Sequence, residues 1–373
     1  MKDQVLYYKK RIKAMKKILV IITTKFVPYG GLTTVAMNYY RHIDHSNFKM
    51  DFASTNKAPE ILENELKKNG DSYYRLPPRK KIVRYCTELK KLCAGYDAVH
   101  IHANSATATF ELLAAKNAGV RKRIIHIHNT TCTHMTVHRI LKPAFDRLYT
   151  DAVACSKAAG EWMFPENKYI VLNNAIDLGR YAYSEDNRVK IRNELGIGDV
   201  FVVGHVGKIT AQKNHQFLIR CFAGVHYHLP DSKLLLVGDG DLKTETEEQV
   251  KRLKLTDNVI FTGMVNASES YLSAMDCFAF PSRWEGLPLS VVEAQANGLK
   301  CIVSDKVTEE VNVASELTFL PIEEECEAEW VKHILSSMDY DRKSSSKQMI
   351  RSLRDNHYDI CDNAEALERI YTE

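Results

Sequence analysis

The densest run of chemistry-bearing residues is Phe280–Gly298, FPSRWEGLPLSVVEAQANG. An apolar, strand-like segment ends at Pro281, and a loop containing Gly286 and Pro288 follows. The pattern then predicts a helix that opens near Leu289 and stops at Gly298, a residue suited to a helix C-terminus. The start of a helix leaves backbone N–H groups unpaired and carries partial positive charge, which suits a diphosphate. Glu285 precedes this start, and Glu293 lies about one turn in, roughly 6 Å along the axis at ~1.5 Å per residue. Two carboxylates flanking a phosphate-binding helix start would grip both ends of a nucleotide-sugar, Glu285 on the sugar and Glu293 on the ribose. On spacing alone, a loop charge and a solvated helix residue account for them equally well.

A second cluster is Gly204–His215, GHVGKITAQKNH, between a strand-like FVV and a helical pattern. Gly207 allows close backbone approach at the strand end. Lys208 and Lys213 supply two cations where no metal motif is apparent, and lysines can neutralise a departing nucleoside diphosphate. Either one alone could be a surface lysine in a turn. A third cluster, Pro28–Thr34 (PYGGLTT), sets Gly30 and Gly31 before a helix start, another possible anion cradle. It lacks the third spaced glycine of a dinucleotide fingerprint and an acidic ribose partner downstream, which counts against a nicotinamide dehydrogenase.

Histidines recur in VHIHAN (His100, His102) and IIHIHNT (His126, His128). Each pair is expected to set its members on opposite faces of a strand, which would keep them from converging on zinc. His128 closes its strand, where ligands bind in this architecture; His100 and His126 read as packed structural residues. Asp239-Gly240-Asp241 has the look of a metal-binding Asp-x-Asp, but a Gly/Asp pair at a strand-to-helix junction reads more simply as a turn. The nine cysteines are scattered singly with no Cys-x-x-Cys, as expected of reduced, mostly buried thiols in a cytosolic protein. No metal site is expected.

The elements that must position these residues follow from alternation. Short apolar runs at Lys17–Thr23, Lys49–Ser54, Ala98–His102, Arg123–His128, Ala152–Ala154 and Tyr169–Leu172 interleave with amphipathic segments such as Thr33–His42 and Ile82–Ala94. A second series runs through Phe201–Val206, Lys233–Val237, Val259–Thr262, Cys277–Phe280 and Cys301–Ser304, with helical patterns at Gln216–His228 and Val291–Asn297. This rhythm predicts an α/β chain with parallel sheets covered on both faces and ligands beyond the carboxyl ends of the strands. A chain of 373 residues suggests two domains. The expected layout is an extension at 1–14, a domain at 15–173, a polar linker at 174–198, a second domain at 199–355 and a last helix in 356–373 that could return to the first domain.

The net charge of +4 conceals a division. Through Asn173 there are 29 basic and 14 acidic residues, a surplus of +15; from Asn174 onward there are 22 and 33, or −11. A basic half suggests an anionic surface nearby. Within it, Arg79-Lys80-Lys81-Ile82-Val83-Arg84-Tyr85, continuing to Lys90 and Lys91, reads as a basic amphipathic helix able to lie on an anionic leaflet, helped by Lys9–Lys17. A solvated basic face is the equal alternative. No apolar run approaches the ~18–20 residues of a membrane span, and the charged N-terminus lacks a signal-peptide core.

Taken together, VGK…QKN, LLLVGDGDL, NVIFTGMV, AMDCFAFPSRWEGLPLSVVEAQANG and CIVSD, in that order, resemble the retaining family-four glycosyltransferases of the GT-B fold, in which two Rossmann-like domains face across a cleft. IIHIHNT resembles the members that act in exopolysaccharide and capsule synthesis. The resemblance implies that Glu285 contacts donor-sugar hydroxyls and Glu293 the ribose. It implies that Lys208 and Lys213 meet the diphosphate together with backbone N–H groups of Gly286 to Leu289 around Pro288. It sets Val265 beside the base, Gly31 near the donor phosphates and His128 near the transferred sugar, with Glu285, His128 and Lys213 as the catalytic set. It also implies no cofactor or metal, a nucleotide-sugar donor (a UDP-sugar for choice), a glycan or lipid-linked glycan acceptor, no nucleic acid, and a cytoplasmic location at the inner face of the plasma membrane. The family explains retention without a covalent intermediate, so an absent nucleophile–base pair fits. Lys208 stands where arginine is common, which removes bidentate phosphate contact, and Asn173-Asn174-Ala175-Ile176-Asp177 replaces the usual Pro-Asn-Gly-Ile-Asp. A sugar-nucleotide epimerase or a phosphorylase on the same architecture, or a non-catalytic binding module, are the other readings; the intact Glu285, Glu293, Lys208 and Lys213 argue against the last.

Overall fold

The computed structural model describes residues 15–28, 30–313 and 317–373, so the 1–14 extension lies outside the described residues. Two compact units emerge: one runs to Ala175 and takes in Ile360–Glu373, and the other is Ile176–Asp359.

The first unit contains β1 (Lys16–Ile22), β2 (Phe48–Ser54), β3 (Tyr73–Arg75), β4 (Ala98–Ala103), β5 (Lys122–Ile127), β6 (Asp151–Ala154) and β7 (Ile170–Val171). They form one sheet in the order β3-β2-β1-β4-β5-β6-β7, and every pairing is parallel. The central strands are apolar on both faces, with Ile18 to Ile22 at most 1% exposed, because helices cover both sides of a parallel sheet. The chain runs outward from β1 to β3 and then returns to β4, so the strand order reverses between β1 and β4. Such a switch point opens a crevice beyond the strand ends. The Ile360–Thr372 helix belongs to this unit. Its buried face is Ile360, Asn363, Ala364, Leu367, Ile370 and Tyr371, a spacing of three and four. Asn363 Nδ2 and Tyr39 OH both donate to Asn173 O, at 3.2 and 2.9 Å, and Lys16 Nζ donates to Tyr371 O at 2.8 Å.

The second unit repeats the plan with β8 (Val202–Val206), β9 (Lys233–Val237), β10 (Val259–Gly263), β11 (Cys277–Phe280), β12 (Lys300–Ser304) and β13 (Leu317–Leu320). The order is β10-β9-β8-β11-β12-β13, and all pairings are parallel. The switch point lies between β8 and β11. The polar stretch expected as a linker contributes the Leu178–Tyr181 and Glu185–Leu195 helices to this unit. Asp177 and Ser184 cap their starts, and Gly196 ends the second in the left-handed region at φ 65°. Arg188 and Arg192 then pair with Asp276 at 2.7 and 2.6 Å, whose Oδ2 also accepts the Val202 N–H at the start of β8. Among the described residues, no helix is long and apolar enough to cross a membrane.

Candidate functional site

In the second unit, the loops leaving β8 and β11 meet at the switch point. Arg283 N donates to Gln212 O at 2.8 Å, and Gln212 Nε2 donates to Trp284 O at 2.9 Å. Between these ties, Lys213 Nζ reaches Glu285 Oε1 at 2.7 Å, with both side chains largely buried. The same ammonium stands 4.4 Å over the Phe280 ring at the end of β11, a cation–π contact. Sequence reasoning named Lys213 and Glu285 for separate ends of a ligand; the structure brings them into direct contact. A shielded pair of this kind leaves a costly uncompensated charge if one partner is lost.

Lys208 differs from Lys213. It is exposed and reaches Asp241 Oδ2 at 3.2 Å. The Asp-Gly-Asp segment behind it is a connection from β9 to the Lys243–Arg252 helix: Asp239 Oδ1 accepts the N–H of Gly240 at 2.8 Å, and Asp239 O accepts from Ile209 N at 3.0 Å. Here glycine is required by space. A Cβ on Gly238 would lie 2.1 Å from Gly207 O, and one on Gly240 would lie 2.2 Å from Ile209 O. The β9 connection thus braces the lysine loop backbone to backbone.

The helix after the second loop spans Leu289–Ala296. Pro288 holds its N-cap position in extended geometry, no side chain caps it, and its first turn carries no acidic residue. An added Cβ on Gly286 would meet nothing within 4 Å. Leu287, Leu289 and Val265 pack on one apolar cluster beneath this start. The helix stops at Gly298, φ 75°, whose N–H reaches Gln295 O while Leu299 N reaches Ala294 O, as the sequence led us to expect.

Glu293 is buried rather than solvated. Burial pushes its carboxyl up to about 7, against the opposing pull of a hydrogen bond from Tyr181 and the nearby charge of Arg180. Arg180 in turn pairs with Glu269 at 3.0 Å, and Tyr181 OH lies 3.3 Å from Ser268 Oγ. Sequence reasoning missed Arg180 and Tyr181 because they sit in the polar stretch; Asp177 as a helix cap was the available signal. It also missed Arg283, which donates to Asn214 Oδ1 at 3.4 Å.

Gly31 and His128 belong to the first unit. Gly31 opens the Gly31–His42 helix behind Gly30, with no side-chain cap and open space around its Cα. His128 follows β5 directly, half-buried, with Nε2 2.8 Å from His102 Nδ1.

The histidine pairs correct an expectation. Side chains two apart on a strand share a face, so His100 and His102 stand together, and the β4–β5 register sets His102 against His126. The rings of His100, His102, His126 and His128 have neighbouring centroids 4.2 to 5.5 Å apart. Burial holds all four neutral: it lowers His100 to about 3 and His128 to about 4, and it pushes His102 and His126 well below the usual range. The argument that these side chains diverge is therefore overturned.

Residues 187–351 match the family Glycosyl transferases group 1. Over 300 residues the chain is 33% identical to a Bacillus subtilis protein named as glycosyltransferase EpsF, covering 76% of this chain and 78% of that one. Over 226 residues it is 29% identical to the Escherichia coli UDP-Gal:alpha-D-GlcNAc-diphosphoundecaprenol alpha-1,3-galactosyltransferase, covering 56% and 58% of the two chains. Among solved structures, Anabaena HepE in complex with UDP superposes with a TM-score of 0.78 at 18% identity, covering 96% of this chain and 100% of that one. At that identity the likeness shows the shared two-unit architecture.

Proposed function

We propose a donor and an acceptor for a chain that belongs to the glycosyl transferases group 1 family, a GT-B glycosyltransferase of polysaccharide or glycolipid synthesis. It moves a sugar from a UDP-sugar, with retention and without a metal ion, to a glycan or lipid-linked glycan acceptor. The observation that carries this reading is the Lys213–Glu285 contact beside an uncapped helix start, with Glu293 buried one turn further on. The E. coli relative takes its sugar from UDP-Gal and acts on a diphosphoundecaprenol-linked sugar by name, and HepE was crystallised with UDP-glucose; both support UDP and a lipid-linked acceptor.

In this reading the diphosphate lies on the N–H groups at Leu289 with Lys213 and Lys208 on its oxygens. Glu293 accepts from the ribose hydroxyls, Val265 lies beside the base, and Glu285 leaves Lys213 for the sugar hydroxyls. Within the first unit, the contact with His102 fixes the ring orientation of His128. The bond from the anomeric carbon to the β-phosphate oxygen breaks, the acceptor oxygen bonds to that carbon on the same face, and its proton passes to the departing phosphate. Lys213 and the helix start stabilise the negative charge that develops there, and such preorganised charge is the main resource of this kind of catalysis. For the acceptor side we extend the proposal to an anionic membrane. Lys80, Lys81, Arg84, Lys90 and Lys91 are exposed around the Ile82–Cys93 helix, as is Val83, whereas Arg79 turns inward to buried Glu111 at 2.9 Å. The test is mass spectrometry of reactions with UDP-, GDP- and ADP-sugars and extracted lipid-linked acceptors. A product that retains the anomeric configuration with a UDP-sugar supports the reading, while release of free UDP without an acceptor and with an epimerised sugar replaces it with an epimerase.

A further inference from the structure

We propose that His100, His102 and His126 form a binding site for one divalent transition-metal ion, zinc above others, inside the first unit. The topology builds the ligand set. Two histidines lie two residues apart on β4, and the third is the register partner of one of them on β5, so all three rings leave the sheet on one face. Each offers one nitrogen, and these nitrogens lie within 4.8 Å of one another. A tetrahedral ion with Zn–N bonds of about 2.0–2.1 Å holds its nitrogens about 3.4 Å apart. The rings thus need to converge by ~1.4 Å, within reach of small side-chain rotations.

Hydrogen bonding leaves the right atoms for a metal. His100 Nδ1 is 2.7 Å from Tyr371 OH, and His102 Nδ1 is 2.8 Å from His128 Nε2. Ligating histidines characteristically engage a partner through one ring nitrogen and the metal through the other. His100 Nε2 is buried and has no hydrogen-bond partner, which in a dry core costs about 1–3 kcal/mol unless something takes its place. An all-imidazole set selects zinc, cobalt, nickel or copper over magnesium and manganese. The ion would hold β4 to β5 beside His128.

The experiment is direct. Protein unfolded with chelator and refolded without metal is titrated with ZnCl2 and with CoCl2, with metal content measured after gel filtration. One ion per chain, visible d–d absorption from cobalt and a raised Tm are expected. His126→Gln and His100→Gln should each lose at least tenfold in affinity, whereas His226→Gln, outside the cluster, should bind as wild type. Refolded wild type that retains no stoichiometric zinc or cobalt overturns the site, and so does unchanged binding in either cluster variant. Should one variant fail to refold, the other and the wild-type stoichiometry decide.

Discussion

The buried carboxyl of Glu293 gives a prediction that stands on structure alone. Its ordinary value of 4.5 rises to about 7 in the folded chain because burial disfavours the charged form more than Tyr181 and Arg180 favour it, with Glu269 adding like charge. The sign follows from which state holds the proton. Between pH 4.5 and 7 the folded chain keeps a proton that the unfolded chain releases, so stability falls as pH rises through this window. A shift of 2.5 units, from 4.5 to about 7, corresponds to about 3 kcal/mol at 1.36 kcal/mol per unit. Roughly 2 kcal/mol of it falls between pH 5.5 and 8. Buried histidines such as His205 and His215, lowered by desolvation, have the opposite dependence, destabilising the fold as pH falls below their ordinary range. The raw profile is therefore a sum, and the informative quantity is the difference between wild type and Glu293→Gln, which cannot titrate there. Urea unfolding followed by tryptophan fluorescence should show the variant gaining about 2 kcal/mol on wild type between pH 5.5 and 8. Parallel profiles across that range would refute the argument that this carboxyl is held protonated by burial.

The remaining predictions concern the proposed activity. Lys213→Ala should weaken UDP binding by about 10- to 150-fold, since a charge-assisted hydrogen bond contributes roughly 1.5–3 kcal/mol; unchanged calorimetric affinity in a folded variant counts against its phosphate role. Glu285→Gln should bind UDP at least as tightly as wild type, because it frees Lys213, and should lose most of kcat, because the proposed contact of Glu285 is with the sugar; normal turnover removes that role. Brief EDTA treatment should leave transfer unchanged, and loss of activity restored by manganese would return a cation to the diphosphate. Anionic liposomes should pellet the protein in a salt-sensitive way, at about 1 kcal/mol per basic residue near the surface, and replacing Lys80, Lys81 and Arg84 with Ala should abolish it; no pelleting at low salt ends the membrane proposal.

Most strands were legible because a strand buried on both faces has to be an unbroken apolar run. Lys233–Val237 and Cys277–Phe280 fall on the residues expected. The missed strands, β3 and β13, are the outermost of their sheets with few buried side chains, so neither an apolar run nor a clean alternation marks them. The Glu185–Leu195 helix escaped for another reason. Only Ile191 and Arg192 are buried on it, and beside the small apolar contact of Ile191 and Leu195 it is tied by the charge of Asp276 between two arginines. Periodicity detects apolar stripes and is blind to that.

At the site, what could be read was position, and what could not was partnership. The loops after β8 and β11 announce themselves because a turn from strand to helix needs glycine and proline, and the switch point makes those two loops neighbours. The solvated alternative for Glu293 fails because Val291 to Ala296 are all buried; a helix enclosed on every side has no polar face for its charge to use. The contact of Lys213 with Glu285 joins residues 72 apart in sequence, a distance at which no spacing rule operates. That contact also constrains the chemistry proposed for it. A cation already held against a carboxylate cannot serve a diphosphate at full strength until the carboxylate finds another partner, and sugar hydroxyls beside the phosphate would supply one. Binding of UDP alone leaves Glu285 without those hydroxyls, so a UDP-sugar should bind more tightly than UDP to wild type, and that advantage should shrink in Glu285→Gln.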